Sequence, residues 1–67
     1  MNIYYVKEVG SSYYQDVFFK KDDAERLRLS LNRESGFKRF ETNVVFAYPF
    51  SSEWWPAMNA DKKRRNK

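Results

Sequence analysis

The stretch KKDDAERLRLSLNRESGFKRFETNVVFAYPF, residues 20–50, holds a helix signal followed by a strand signal, and its reading decides the fold. Asp22 is the predicted N-cap, with Glu25 three residues on as the other half of a capping box. Acids in the first turn suit the helix dipole, and Asp22 with Arg26 makes an i,i+4 pair. Ala24, Leu27 and Leu31 fall at i, i+3 and i+7, a stripe that should face a sheet. Leu29 lies off that stripe, among Glu25, Arg26 and Arg33. Gly36 stands where a left-handed C-terminal cap belongs. The pattern then changes to alternation. Phe40, Thr42, Val44, Phe46 and Tyr48 interleave with Arg39, Glu41, Asn43, Val45 and Ala47, as in a strand with one buried face. Pro49 has no N–H for a ladder and ends the strand or places it on an edge.

Upstream, IYYVKEV (3–9) and YYQDVFFK (13–20) are rich in β-branched and aromatic residues and flank Gly10-Ser11-Ser12. Two such runs around a short Gly-containing loop predict a β-hairpin. Strict alternation puts Tyr13, Val17 and Phe19 on one face of the second strand and Tyr14, Asp16 and Phe18 on the other. The order strand, strand, helix, strand predicts an α+β domain over residues 1–50. It is a three-stranded antiparallel sheet (β-β-α-β) in strand order 2-1-3 with one helix packed on one face. Residues 51–61 show no period and read as an aromatic extension, loop-like or a short turn of helix, and 62–67 as a disordered basic tail. The second sheet face would then be open around Tyr4 or Tyr5, Tyr14 or Phe18, and Val45, unless Trp54-Trp55 folds back over it.

A chain of 67 residues makes one domain and buries little surface, so it depends on its 6 Phe, 5 Tyr and 2 Trp for packing. There is no Cys and no His, which removes disulfides, thiolate and imidazole ligands and the commonest nucleophile–base pairs. Two separated glycines make no phosphate loop. A non-enzymatic protein without metal or cofactor is expected. MNIYYVKEVG lacks the basic start and apolar core of a signal peptide, no run is long enough to cross a bilayer, and a cytoplasmic protein is expected. The net charge of +4 belongs to the end of the chain: Lys62, Lys63, Arg64, Arg65 and Lys67 are five of the 13 basic residues.

Two binding classes follow. As a protein-binding module the chain would use Trp54 and Trp55 with Tyr4, Tyr14 and Phe18 of the open face, and Arg26, Leu29 and Arg33 of the helix. The basic tail would steer association, and self-association into a homodimer is a further expectation. The alternative is a DNA- or RNA-binding protein whose tail contacts phosphates, although RNP-type strand patterns are missing and the strands are not basic.

Two short strands followed by FFKKDDAERLRLSLNRESGFKRFETNVVFAYP resemble small phage-encoded proteins in which a hairpin leads into a "DDAE" helix start and a "GF" strand. The layout is similar to that of the podovirus inhibitors of bacterial RNA polymerase. The resemblance covers residues 4–49 as residue classes and shares no binding motif. It implies a compact, non-enzymatic accessory protein that binds and inhibits or modulates a host complex, transcription machinery included.

Overall fold

Gly10, at φ 85°, lets the chain reverse after the first strand, and Ser11 N–H closes the turn on the Glu8 carbonyl at 3.0 Å. The hairpin so formed joins β1 (Asn2–Glu8) to β2 (Tyr14–Phe18). There follow α1 (Lys21–Ser35), β3 (Phe40–Phe46) and α2 (Trp54–Arg65). The computed structural model of the chain describes residues 1–36 and 39–65. The sheet is antiparallel in the expected order β2-β1-β3. β1 takes the centre because both of its faces are apolar: Ile3 is fully buried on one and Val6 on the other.

Each face has its own core. On the first, Val6 and Phe18 pack with Ala24, with Tyr4, Leu27 and Leu31 around them. The predicted stripe of α1 therefore faces the sheet. On the second, Ile3 and Val17 pack with Ala47 and Ala57, with Tyr5, Phe19, Trp54 and Ala60 alongside. The sheet thus has a second helix on its other face, where the sequence suggests an extension. Burying each of Ile3, Val6 and Val17 contributes about 1.5–3 kcal/mol, so both layers matter to a chain of this size.

Three local expectations change. The residue before α1 is Lys20, in extended conformation and with no side-chain cap, so Asp22 lies in the first turn. The Lys20 carbonyl accepts from Ala24 N–H at 3.3 Å, so the helix starts two residues before the capping pattern, with Ala24 packed against Val6 and Phe18. Arg26 pairs with Asp23 at 4.0 Å rather than with Asp22. Gly36 is the left-handed cap as predicted, at φ 79°. A bulge between Val6 and Lys7 then shifts the register of β2, placing Tyr14 opposite Lys7 and Val17 opposite Tyr5. The extra residue reverses parity, so Tyr14 shares a face with Val17 and not with Phe18. Lastly, the buried face of β3 is short. Phe40 is buried, but Val44 only flanks the first turn of α1, beside Lys21 and Glu25, and Phe46 is exposed.

α2 is helical through Arg65, so Lys62, Lys63, Arg64 and Arg65 belong to an ordered element; Lys67 lies outside the described residues. The Ser51 carbonyl accepts from Trp54 N–H at 3.1 Å and Trp55 N–H at 3.3 Å, which starts the helix. Pro56 falls in the first turn, where a missing N–H leaves no intrahelical bond unmade.

Candidate functional site

From the end of β3 to the first turn of α2 the chain carries five aromatic rings within ten residues, Phe46 to Trp55. Tyr48 C=O accepts from Ser51 N–H at 3.1 Å, with Pro49 and Phe50 as the central pair of the turn. Pro49 at the first central position and a positive φ at the second are features of a type II turn. The second position usually holds Gly or Asn. Here it holds Phe50, at φ 69°. A bulky residue in that left-handed region costs about 1–2 kcal/mol. The Phe50 ring meets Trp54 at 4.8 Å and Trp55 at 5.8 Å between centroids, and Trp54 meets Trp55 edge-on at 4.8 Å. Trp54 is anchored in the core of the second face. Tyr48 and Phe50 remain 71% exposed, Phe46 61% and Trp55 46%. Phe46 and Tyr48 themselves stack edge to face at 5.1 Å.

The expected single patch of Tyr4, Tyr14, Phe18, Trp54 and Trp55 is not formed. Tyr4 and Phe18 lie under α1. Tyr14 is on the other face, edge-on to Tyr5 at 5.0 Å. The Tyr5 hydroxyl donates to the Glu53 carbonyl at 3.4 Å, and its acidity falls through burial first, then the neighbouring Tyr14 and Glu53. Glu53, beside the start of α2, is held below the usual carboxylate range by its own backbone N–H and then by the Ser52 hydroxyl. Of the helix residues, Arg26 borders an open groove of about 440 Å³ with Phe18, Leu27 and Arg64. Leu29 and Arg33 are exposed on the outer side of α1. Sequence alternation assigned Phe46 and Tyr48 to a buried face and gave Phe50 no role. The Pro-aromatic pair at 49–50, with a non-Gly residue where a type II turn wants Gly, was the signal that could have marked it.

The basic residues of α2 divide into two kinds. Arg64 reaches over the edge of β2. Its guanidinium pairs with Asp16 at 3.0 Å, donates to the Val17 carbonyl at 3.0 Å and lies 4.2 Å from the centroid of the Phe18 ring. Arg65 pairs with Asp61 one turn back at 2.7 Å. Lys62 and Lys63 are exposed. The tail is thus part clamp and part surface charge.

Among the described residues no group of three His, Cys, Asp or Glu is placed to hold a metal ion, and no helix is long and apolar enough to cross a membrane. Comparison with family models, curated proteins and solved structures finds no match for the chain.

Proposed function

We propose that this chain is a non-enzymatic binding module that recognises a partner protein through the aromatic turn formed by Tyr48, Phe50 and Trp55. The conformation of Phe50 carries the reading. Its backbone favours Gly, its ring is mostly in solvent, and folding recovers little from either. A costly residue held in an exposed place by its surroundings is a mark of function. Exposed Trp and Tyr side chains fixed by neighbours are also the usual anchors of protein interfaces. The phage-like layout suggests a host complex as the partner, inhibited or redirected by occupancy of one of its surfaces. The nucleic-acid reading has less to draw on, because Arg64 and Arg65 already have carboxylate partners within the chain.

The test uses the full chain and the Phe50→Gly variant, immobilised side by side in nuclease-treated bacterial lysate. The protein retained by the wild type is then purified and its affinity measured. F50G relaxes the turn while losing its ring contacts, so its stability stays within about 1 kcal/mol of wild type. Its affinity is expected to fall at least about tenfold, as is that of Trp55→Ala. Reversing charge at Lys62 and Lys63 should alter only the salt dependence of association. Binding that survives F50G but disappears with the lysine variants, or that appears only in lysate left without nuclease, would overturn the reading in favour of nucleic acid.

A further inference from the structure

In an antiparallel ladder, opposed residues alternate between pairs that exchange both backbone hydrogen bonds and pairs that exchange none. Ala47 N–H donates to the Met1 carbonyl at 2.8 Å, and the Met1 ammonium donates back at 2.9 Å. Val9 N–H donates to the Arg39 carbonyl at 2.7 Å. With Ile3 opposite Val45, Tyr5 opposite Asn43 and Lys7 opposite Glu41, the odd-numbered residues of β3 bond to β1. Phe40, Thr42, Val44 and Phe46 therefore point their N–H and C=O groups away from the sheet. On β2 the same parity turns Val17 outward, since Tyr4 and Val6 serve Phe18 and Asp16.

Two of these outward positions are closed by side chains. At Val17 the N–H donates to Asp16 Oδ1 at 2.8 Å and the carbonyl accepts from Arg64. At Phe40 the N–H donates to Asn32 Oδ1 at 2.8 Å and the carbonyl accepts from Asn32 Nδ2 at 3.3 Å. Among the described residues, no side chain does this at Thr42, Val44 or Phe46.

We infer that the open segment Thr42–Phe46 pairs with the same segment of a second copy of this chain, antiparallel about a two-fold axis at Val44, so that the sheet continues across a dimer. Parity favours a second copy. With the axis at Val44, that residue meets its own copy and Thr42 meets Phe46, so every outward-facing residue meets an outward-facing residue. Thr42 to Tyr48 contains no charge to repel its copy. The exposed Val44 and Phe46 side chains extend the apolar face, and Val45 does so on the other side. α2 packs on β2, at the far edge of the sheet, and its Arg64 is anchored there on Asp16. Sliding is limited at both ends, because Asn32 occupies the outward groups of Phe40 and the turn's Ser51 N–H already occupies the carbonyl of Tyr48, the next even-numbered residue. The inference is independent of the aromatic turn, whose ring Phe50 lies outside the paired segment.

Sedimentation velocity of the full chain over a concentration series tests it, with Val44→Pro, Val44→Lys and F50G alongside. The Val44 N–H makes no bond to β1, so V44P removes an outward donor and leaves the ladder intact. The wild type and F50G are expected to pass from monomer to dimer as concentration rises. V44P and V44K should each weaken dimerisation at least about tenfold with unchanged circular dichroism, since a proline or a lysine on an edge blocks pairing. If V44P fails to fold, V44K decides. A wild type that stays monomeric at millimolar concentration overturns the inference and leaves the edge to an extended segment of another protein. A dimer that persists in the variants overturns it as well.

Discussion

The two edges of the sheet are built differently. β2 is short, bulged and charged, and α2 sends Arg64 across it to meet Asp16, the Val17 carbonyl and the Phe18 ring. β3 is longer, uncharged from Thr42 on, and closed only at its start by Asn32. Edge strands are an aggregation hazard that soluble proteins blunt with charges, bulges or covering elements. All three devices are spent on β2 and almost none on β3. The aromatic turn that follows β3 continues the contrast. One side of the molecule is sealed by its own side chains, and the other presents backbone and rings.

The contrast can be broken most forcefully at the helix that seals β2. Ala57 is fully buried between α2 and the sheet. Ala57→Asp places an unpaired charge there and is expected to lower stability by about 3 kcal/mol, read from the urea midpoint. An unchanged midpoint would mean that α2 does not dock. Arg64→Ala is next. Loss of the Asp16 pair, the Val17 bond and the ring contact should cost about 1–2 kcal/mol, discounted for the partial exposure of both ions. Arg65→Ala removes a helical surface pair only and should cost less than about 0.5 kcal/mol. Equal losses for the two arginines would erase the distinction between clamp and surface charge.

Asn32→Ala sharpens the comparison from the other edge. It frees the outward groups of Phe40 and the N–H of Arg39, which donates to Asn32 Oδ1 at 2.9 Å. We expect a loss of about 1 kcal/mol and a greater tendency to associate on heating, followed by light scattering. The smallest effect is alkaline. The folded pKa of Tyr5 is raised, so its contribution is complete below the ordinary phenol value and is lost as pH rises past about 10 and through the folded pKa. Tyr5→Phe should flatten that part of the melting-temperature profile. A profile that falls as steeply in Tyr5→Phe would assign the loss to another group.

Much of the architecture was legible in the residues. The Ala24-Leu27-Leu31 stripe, the Gly36 cap and the strand order each rest on a periodic or local signal that the packing leaves intact. α2 was not legible, because its inward side is Trp54, Ala57, Ala60 and the stem of Arg64, too weakly apolar to stand out as a stripe. Small alanines let that helix approach the sheet closely, which matters in packing and leaves little trace in hydropathy. The faces of β2 were misread because one bulge inverts parity. For the site, Trp55 is partly exposed but lies in the first turn of α2 rather than in an aperiodic extension, while Tyr4 and Phe18 went under α1. Phe50 escaped because a positive φ is a property of the folded turn, and its trace in the sequence is Pro49 before it rather than the alternation of β3.

The account is tested most directly by residue-resolved amide hydrogen exchange at increasing concentrations of the wild-type chain. Val44 should exchange freely in dilute protein and become protected as concentration rises. Val17, whose outward groups are met by Asp16 and Arg64, should exchange at one rate throughout. A Val44 amide that exchanges alike at every concentration, or a Val17 amide that gains protection in step with it, would contradict the division into a sealed edge and a presented one.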